Sequence, residues 1–176
     1  MSDNETLVSS FRQTSPYINA YRKKTFVVMF PGAAIGGANF GNMVQDIALL
    51  HSLGIRLVLV HGAREQIDER LRESNLDSIF HKQLRITQKE HLRCLAQAVG
   101  SSRFTIEAAL SRGLQNSPMH NADISVRSGN LITAMPIGII DGVDHHYTGK
   151  VRKIATQALK DGDEVEEDDI LVRVKN

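Results

Sequence analysis

Thr25-Phe26-Val27-Val28-Met29-Phe30-Pro31-Gly32 and, further on, Ile55-Arg56-Leu57-Val58-Leu59-Val60-His61-Gly62 decide the fold. Each is a run of apolar, largely β-branched residues closed by glycine. Strands buried on both faces read this way, because neither face can carry polar groups. Between the runs, Phe40, Met43, Val44, Ile47 and Leu50 recur at spacings of three and four, which predicts a helix over 39–53 with Gly54 as its stop. Strand, helix, strand is the βαβ unit of a parallel sheet, with a right-handed crossover. The pattern therefore predicts an α/β fold, a mostly parallel sheet sandwiched by helices.

Working outward, residues 1–22 carry Leu7, Val8, Phe11, Tyr17, Ile18 and Tyr21 among polar positions. They read as one or two short amphipathic helices broken near Pro16. Past Gly62, a helix over 64–72 turns Ile67 and Leu71 inward, and Leu84-Arg85-Ile86-Thr87 is a short extended piece. Thr87 with Glu90 makes a T-x-x-E capping pattern for a long helix reaching about residue 114. Its apolar stripe begins Leu92, Leu95, Ala96, Val99. From Asp123 the period becomes two. Runs 123–127 and 131–135 flank Ser128-Gly129-Asn130, which predicts a β-hairpin near 123–137. Asp141-Gly142 marks a turn, and 149–154 a further strand. The chain thus divides into a helical segment (1–22), an α/β domain (23–154) and an acidic tail (155–176).

Of the 176 residues, 41% are hydrophobic and 23% charged, which excludes a wholly disordered chain. No run approaches the ~20 apolar residues of a membrane helix. The start, MSDNETLVSS, lacks a basic n-region and does not read as a signal peptide. The single Cys94 excludes an internal disulfide and a multi-cysteine metal site, and a reducing cytoplasmic setting is expected. Residues 161–169 read DGDEVEEDD, with seven acids and no base. With these, Arg173 and Lys175 set aside, 19 bases face 13 acids. The bases are scattered, aromatic residues are 5% and Trp is absent, so no nucleic-acid stacking platform is expected.

In an open parallel sheet, ligands bind beyond the carboxyl ends of the strands. Gly32 and Gly62 stand there, and their backbone N–H groups suit a carboxylate or phosphate. Arg64 and Arg85 add bidentate donors for a carboxylate. These four are the candidate ligand-binding residues. Against this, glycines after strands also serve simply to turn the chain, and Arg85 also suits solvent or a structural carboxylate such as Asp68. Neither G-x-G-x-x-G nor G-x-x-x-x-G-K-[ST] occurs. His145 and His146 are adjacent, so their side chains diverge, and they read as a surface loop without a third metal ligand. Cys94 reads as a half-buried side chain off the helical stripe. Ser111 and Ser117 lie in no nucleophile elbow. No catalytic residue and no metal centre is expected.

Four stretches together resemble the N-terminal part of the bacterial N-acetylglutamate synthase family. They are FRQTSPYINAYRKKTFVVMFPGAAI (11–35), DIALLHSLGIRLVLVHGAREQID (46–68), HKQLRIT (81–87) and SGNLITAMPIGIIDGVDHHYTGKVRKI (128–154). The resemblance implies an amino-acid-kinase-like domain related to acetylglutamate kinase. In the intact family an acetyltransferase domain follows, and acetyl passes from acetyl-CoA to glutamate in arginine biosynthesis. It implies glutamate, N-acetylglutamate or arginine as ligands, homo-oligomers involving the N-terminal helix, and Arg85 as holder of a carboxylate of acylated glutamate. No cofactor is expected on this portion.

Two departures qualify what is implied. Related kinases place a Lys in the first strand to stabilise transferred phosphate, where this chain has Met29. Pro31 stands where the family usually has glycine, and removes an N–H donor. No acetyl-CoA loop of the R/Q-x-x-G-x-G/A kind occurs in the 176 residues, so this chain alone is expected to be inactive in acetyl transfer. The end, 159–174, is unlike the family continuation and resembles the strand pair of lipoyl or biotinyl carriers without their modified-lysine hairpin. The alternatives to a synthase-like chain are a non-catalytic regulatory module for arginine or an acylamino acid, and a residual acetylglutamate kinase, which Met29 disfavours.

Overall fold

The computed structural model describes residues 3–112, 124–129, 131–154 and 170–175. The chain opens with helix α1 (Asp3–Tyr21), strand β1 (Thr25–Phe30), a 3-10 turn (Gly32–Ala34), α2 (Phe40–Ser52), β2 (Arg56–His61) and α3 (Arg64–Glu73). A hairpin of β3 (Ile79–His81) and β4 (Leu84–Ile86) leads through a 3-10 turn (Lys89–His91) into α4 (Leu92–Ser111). The later strands are β5 (Ser125–Ser128), β6 (Ile132–Pro136), β7 (Ile139–Ile140), β8 (Val143–Asp144), β9 (Gly149–Ile154) and β10 (Ile170–Lys175).

The predicted βαβ unit is present. β1 and β2 pair in parallel, from Thr25 opposite Arg56 to Phe30 opposite His61. Gly54 ends α2 with φ +84°, the left-handed conformation that only glycine adopts without strain. One sheet face, with Phe30, Leu57 and Leu59, packs on Val44, Ile47 and Ala48 of α2 and on Ile106, Ala109 and Leu110 of α4. Leu57 and Leu59 are fully buried, as a central strand requires.

The sheet itself differs from expectation. Its order is β1-β2-β10-β5, and β10 runs antiparallel to both neighbours, so the sheet is mixed and β1–β2 is its one parallel pair among the described strands. Among the described residues, helices cover one face of β2. Val58 and Val60 are buried against Leu131, Ile132 and Ile154, from the antiparallel β6–β9 ribbon and its lead-in. The hairpin predicted near 123–137 is not formed: β5 pairs with β10 and β6 with β9. Alternation identified both strands, but pairing is decided by which partner buries the apolar face. The first arm of the carrier-like pattern lies outside the described residues. Its second arm is β10, seated between β2 and β5.

Three local expectations are also corrected. α1 runs unbroken through Pro16. Ser15 donates to the Phe11 carbonyl at 2.7 Å, one of the local bonds that knit this exposed helix together. The cap ahead of α4 uses Gln88 and His91, not Thr87 and Glu90; Thr87 instead bridges to His146. The buried row of α4 begins with Cys94, Ala98 and Ser102, while Leu92 stays 39% exposed. α4 packs on α3, and small side chains let two helices approach closely, so size outweighed hydrophobicity in choosing the inner face. Cys94 is accordingly buried, with Sγ 3.3 Å from Ser74 Oγ. No helix among the described residues is long and apolar enough to cross a membrane.

Candidate functional site

β1 and β2 end side by side, so the turns that follow them meet. A Cβ added to Gly62 would lie 3.0 Å from the Gly32 nitrogen. Gly62 N–H donates to the Phe30 carbonyl at 3.0 Å. The two predicted glycines are therefore together, and their lack of side chains permits the approach. The space over Gly32 is nonetheless taken from α3. Gln66 Nε2 donates to the Gly32 carbonyl at 2.8 Å, and a Cβ on Gly32 would meet Glu65 Oε2 at 2.7 Å. Glu65 thus places a carboxylate beside the first glycine turn, and that charge disfavours an anion there. Met29 adds no cation there and is 61% exposed.

The positive groups lie beside these turns. Arg64 opens α3 directly after the Gly62-Ala63 turn, and Arg85 lies on β4 opposite Phe80 of β3. Both guanidinium carbons sit 4.7 Å from the Phe80 ring centroid. Such cation–π contacts hold each guanidinium plane at a defined position. Arg85 is anchored further: Nη2 lies 2.8 Å from Asp68 Oδ1, and Nη1 donates to Ser78 Oγ at 2.7 Å. Ser78 in turn donates to Asp68 Oδ1 at 2.5 Å. The Thr148 hydroxyl caps the Arg85 carbonyl. Besides its contact with the Phe80 ring, Arg64 donates one long hydrogen bond, 3.5 Å, to the Gln83 carbonyl and forms no salt bridge among the described residues.

Asp68 reports the field of this cluster. Its partial burial alone would raise the carboxyl pKa. The Ser78 hydrogen bond, the hydrogen bond and charge of Arg85, and the charge of Arg64 outweigh that, and the carboxyl is held below the ordinary aspartate value.

Gly32, Gly62, Arg64 and Arg85 thus gather at one end of the β1–β2 pair. Sequence reasoning missed Phe80 and Ser78, which organise the two arginines. Two consecutive positive φ values, +48° at Lys82 and +67° at Gln83, make the tight hairpin that sets Phe80 against Arg85. A Lys-Gln turn carries no glycine or asparagine to announce this. The expected His145-His146 surface loop is half correct. His146 is exposed and pairs with Asp144, but His145 is fully buried. Ser111 only bonds back to the Glu107 carbonyl, and Ser117 lies outside the described residues.

Comparison with known proteins gives these features a setting. The chain is 54% identical over 152 residues to an amino-acid acetyltransferase of Ectopseudomonas mendocina, and 53% identical to one of Pseudomonas aeruginosa. Each match covers 86% of this chain, and the chain spans 35% of the length of these curated relatives. In structure it matches N-acetylglutamate synthase from Neisseria gonorrhoeae complexed with coenzyme A and L-arginine, with a TM-score of 0.75 and 37% identity. That match covers 86% of this chain and 36% of the other. The same enzyme complexed with coenzyme A and N-acetyl-glutamate gives a TM-score of 0.73. A family model, the amino acid kinase family, matches residues 24–167, and with that span the chain belongs to the amino acid kinase family.

Proposed function

We propose that this chain is the kinase-like portion of an N-acetylglutamate synthase-like protein of arginine biosynthesis, and that its site binds an acidic amino acid or acylamino acid without transforming it. In the intact family acetyl-CoA and glutamate are the substrates. The carrying observation is the pair of guanidinium groups on one phenylalanine at the carboxyl end of β2. Arg85, held by Asp68 and Ser78, fixes Phe80. Arg64, which forms no salt bridge among the described residues, presents its fork to a ligand carboxylate. Glu65 over Gly32 opposes phosphate binding, which counts against the kinase reading. The lack of an acetyl-CoA loop supports inactivity of these 176 residues in acetyl transfer. A buried, unpaired thiol suits the cytoplasm.

Calorimetry on this chain with N-acetylglutamate, glutamate, arginine, ATP and acetyl-CoA tests the reading. N-acetylglutamate or glutamate is expected to bind, and ATP and acetyl-CoA are not. Arg64→Ala is expected to weaken the acidic ligand about 10- to 100-fold, the usual weight of one charged hydrogen-bonding group. Binding of ATP, or of no acidic ligand at millimolar concentration, would refute it.

The same reading includes a homo-oligomer through α1. Leu7 and Phe11, one helical turn apart, are 71% and 67% exposed, and Tyr17 is 64% exposed. Among the described strands β1 ends the sheet, and an unpaired strand edge favours association. Light scattering is expected to find a dimer or larger species that Leu7→Asp with Phe11→Asp converts to monomer. A monomeric wild type at about 0.1 mM, well above ordinary self-association constants, would exclude it.

A further inference from the structure

Two opposite charges stand side by side at the start of α3 and do not pair with each other. Arg64 and Glu65 are the first two residues of the helix, and both are exposed. Neither forms a salt bridge among the described residues, with the other or with a third group. Successive side chains on a helix point about 100° apart, and the surroundings hold these two in different directions. Arg64 lies over the Phe80 ring and reaches the Gln83 carbonyl, toward the β3–β4 hairpin. Glu65 turns toward β1, where its Oε2 would be 2.7 Å from a Cβ on Gly32. Gln66, next along the helix, donates from Nε2 to the Gly32 carbonyl at 2.8 Å and so ties that turn to α3. The carboxyl end of β2 therefore has a cation on the hairpin side and a carboxylate on the β1 side.

A ligand carrying carboxylates alone meets attraction at Arg64 and repulsion at Glu65. A dipolar ion of amino-acid size meets a charge-assisted partner at both. We propose that this site selects an amino acid with a free α-ammonium group over its N-acylated form, with a ligand carboxylate on Arg64 and the ammonium on Glu65. The inference rests on the carboxylate-binding role given to Arg64 above. N-acylation turns the ammonium into a neutral amide with one N–H, which removes the charge that answers Glu65. It also adds an acyl group beside Gly32, where Glu65, Gln66 and Ala63 already take up the space. Glutamate thus meets both charged groups, whereas N-acetylglutamate meets Arg64 with favourable charge and Glu65 with none. The competing account gives Glu65 no ligand: a carboxylate in the first turn of a helix is favourable to the helix dipole in its own right.

Calorimetry on the full chain at about pH 7, where free glutamate is dipolar, compares L-glutamate with N-acetyl-L-glutamate. Wild type is expected to bind glutamate at least about tenfold more tightly, the usual weight of one charged hydrogen bond. Glu65→Gln is expected to erase that preference, weakening glutamate and strengthening N-acetylglutamate. A role confined to the helix dipole would lower the melting temperature and leave the ratio of the two affinities unmoved. Glu69→Gln makes the same change of charge one helical turn further along α3, at an exposed position, and is expected to keep the wild-type ratio. Equal or tighter binding of N-acetylglutamate by wild type would overturn the selection for a free amino group, and so would a ratio unchanged by Glu65→Gln. In both cases the carboxylate site stands as long as Arg64→Ala weakens both ligands. Binding of neither ligand to wild type at millimolar concentration would overturn the site and the selection together.

Discussion

Leu59→Ala is expected to remove about 3–5 kcal/mol of folding stability, the upper part of the range for a buried leucine. Leu59 is fully buried at the centre of β2, in one cluster with Phe30, Ile47, Ile106 and Leu110. β1 and β10 flank it, opposite Val28 and Val172. Truncation loses the transfer free energy of the side chain. It also leaves a cavity that strands on two sides and helices on one face cannot close by a local shift. Against a typical net stability of about 5–15 kcal/mol, that loss takes a large share. Urea unfolding followed by circular dichroism is expected to show a lower midpoint with an unchanged slope. Phe104→Ala, at a side chain 71% exposed, is expected to stay within about 0.5 kcal/mol of wild type. A Leu59→Ala loss below about 1 kcal/mol would mean that this cluster is not the core.

Arg85→Ala is expected to cost both binding and folding. The side chain is 11% exposed and joins Asp68, Ser78 and Phe80 at once. Its removal leaves Asp68 without its main counter-charge and Phe80 without one of its two stacking partners. We expect about 2–3 kcal/mol less affinity for N-acetylglutamate, as when a charged hydrogen-bonding partner is deleted. Arg85→Lys is expected to recover part, since it keeps the charge but not the planar fork. Equal calorimetric affinity in wild type and Arg85→Ala would remove Arg85 from the site.

The folding part has a pH signature. Asp68 has a folded pKa below its unfolded value near 4, so the folded state holds its proton less tightly than the unfolded chain. The resulting stabilisation is present above about pH 4 and is lost as pH falls through the lower folded value. Asp68→Asn is expected to flatten the acid limb of stability in that window and leave the shape above it unchanged. An acid limb identical in wild type and Asp68→Asn would contradict the coupling.

Much of the architecture was legible in the residues themselves. The apolar runs of β1 and β2, the three-and-four spacing of α2 and the stops at Gly54 and Gly62 each state a local preference that tertiary packing agrees with. Period alone is enough there, because it records which faces must leave water. The rule that sheets use their carboxyl edge singled out Gly32, Gly62, Arg64 and Arg85, which the folded chain brings near one another; their ligand role is our proposal. Three things required the folded chain. Strand partners were one: β5 carries the alternation of a hairpin arm, yet pairs with β10, since alternation fixes a strand's faces and says nothing of its neighbour. The inner face of α4 was another: its buried row begins with Cys94, Ala98 and Ser102, near the end of α3 at Ser74, and not with the larger Leu92. The last was the chemistry of the site. Asp68, Ser78, Phe80 and Arg85 are separated along the chain by turns without a strong signal, and only the docking of the β3–β4 hairpin on α3 brings their atoms within reach of one another.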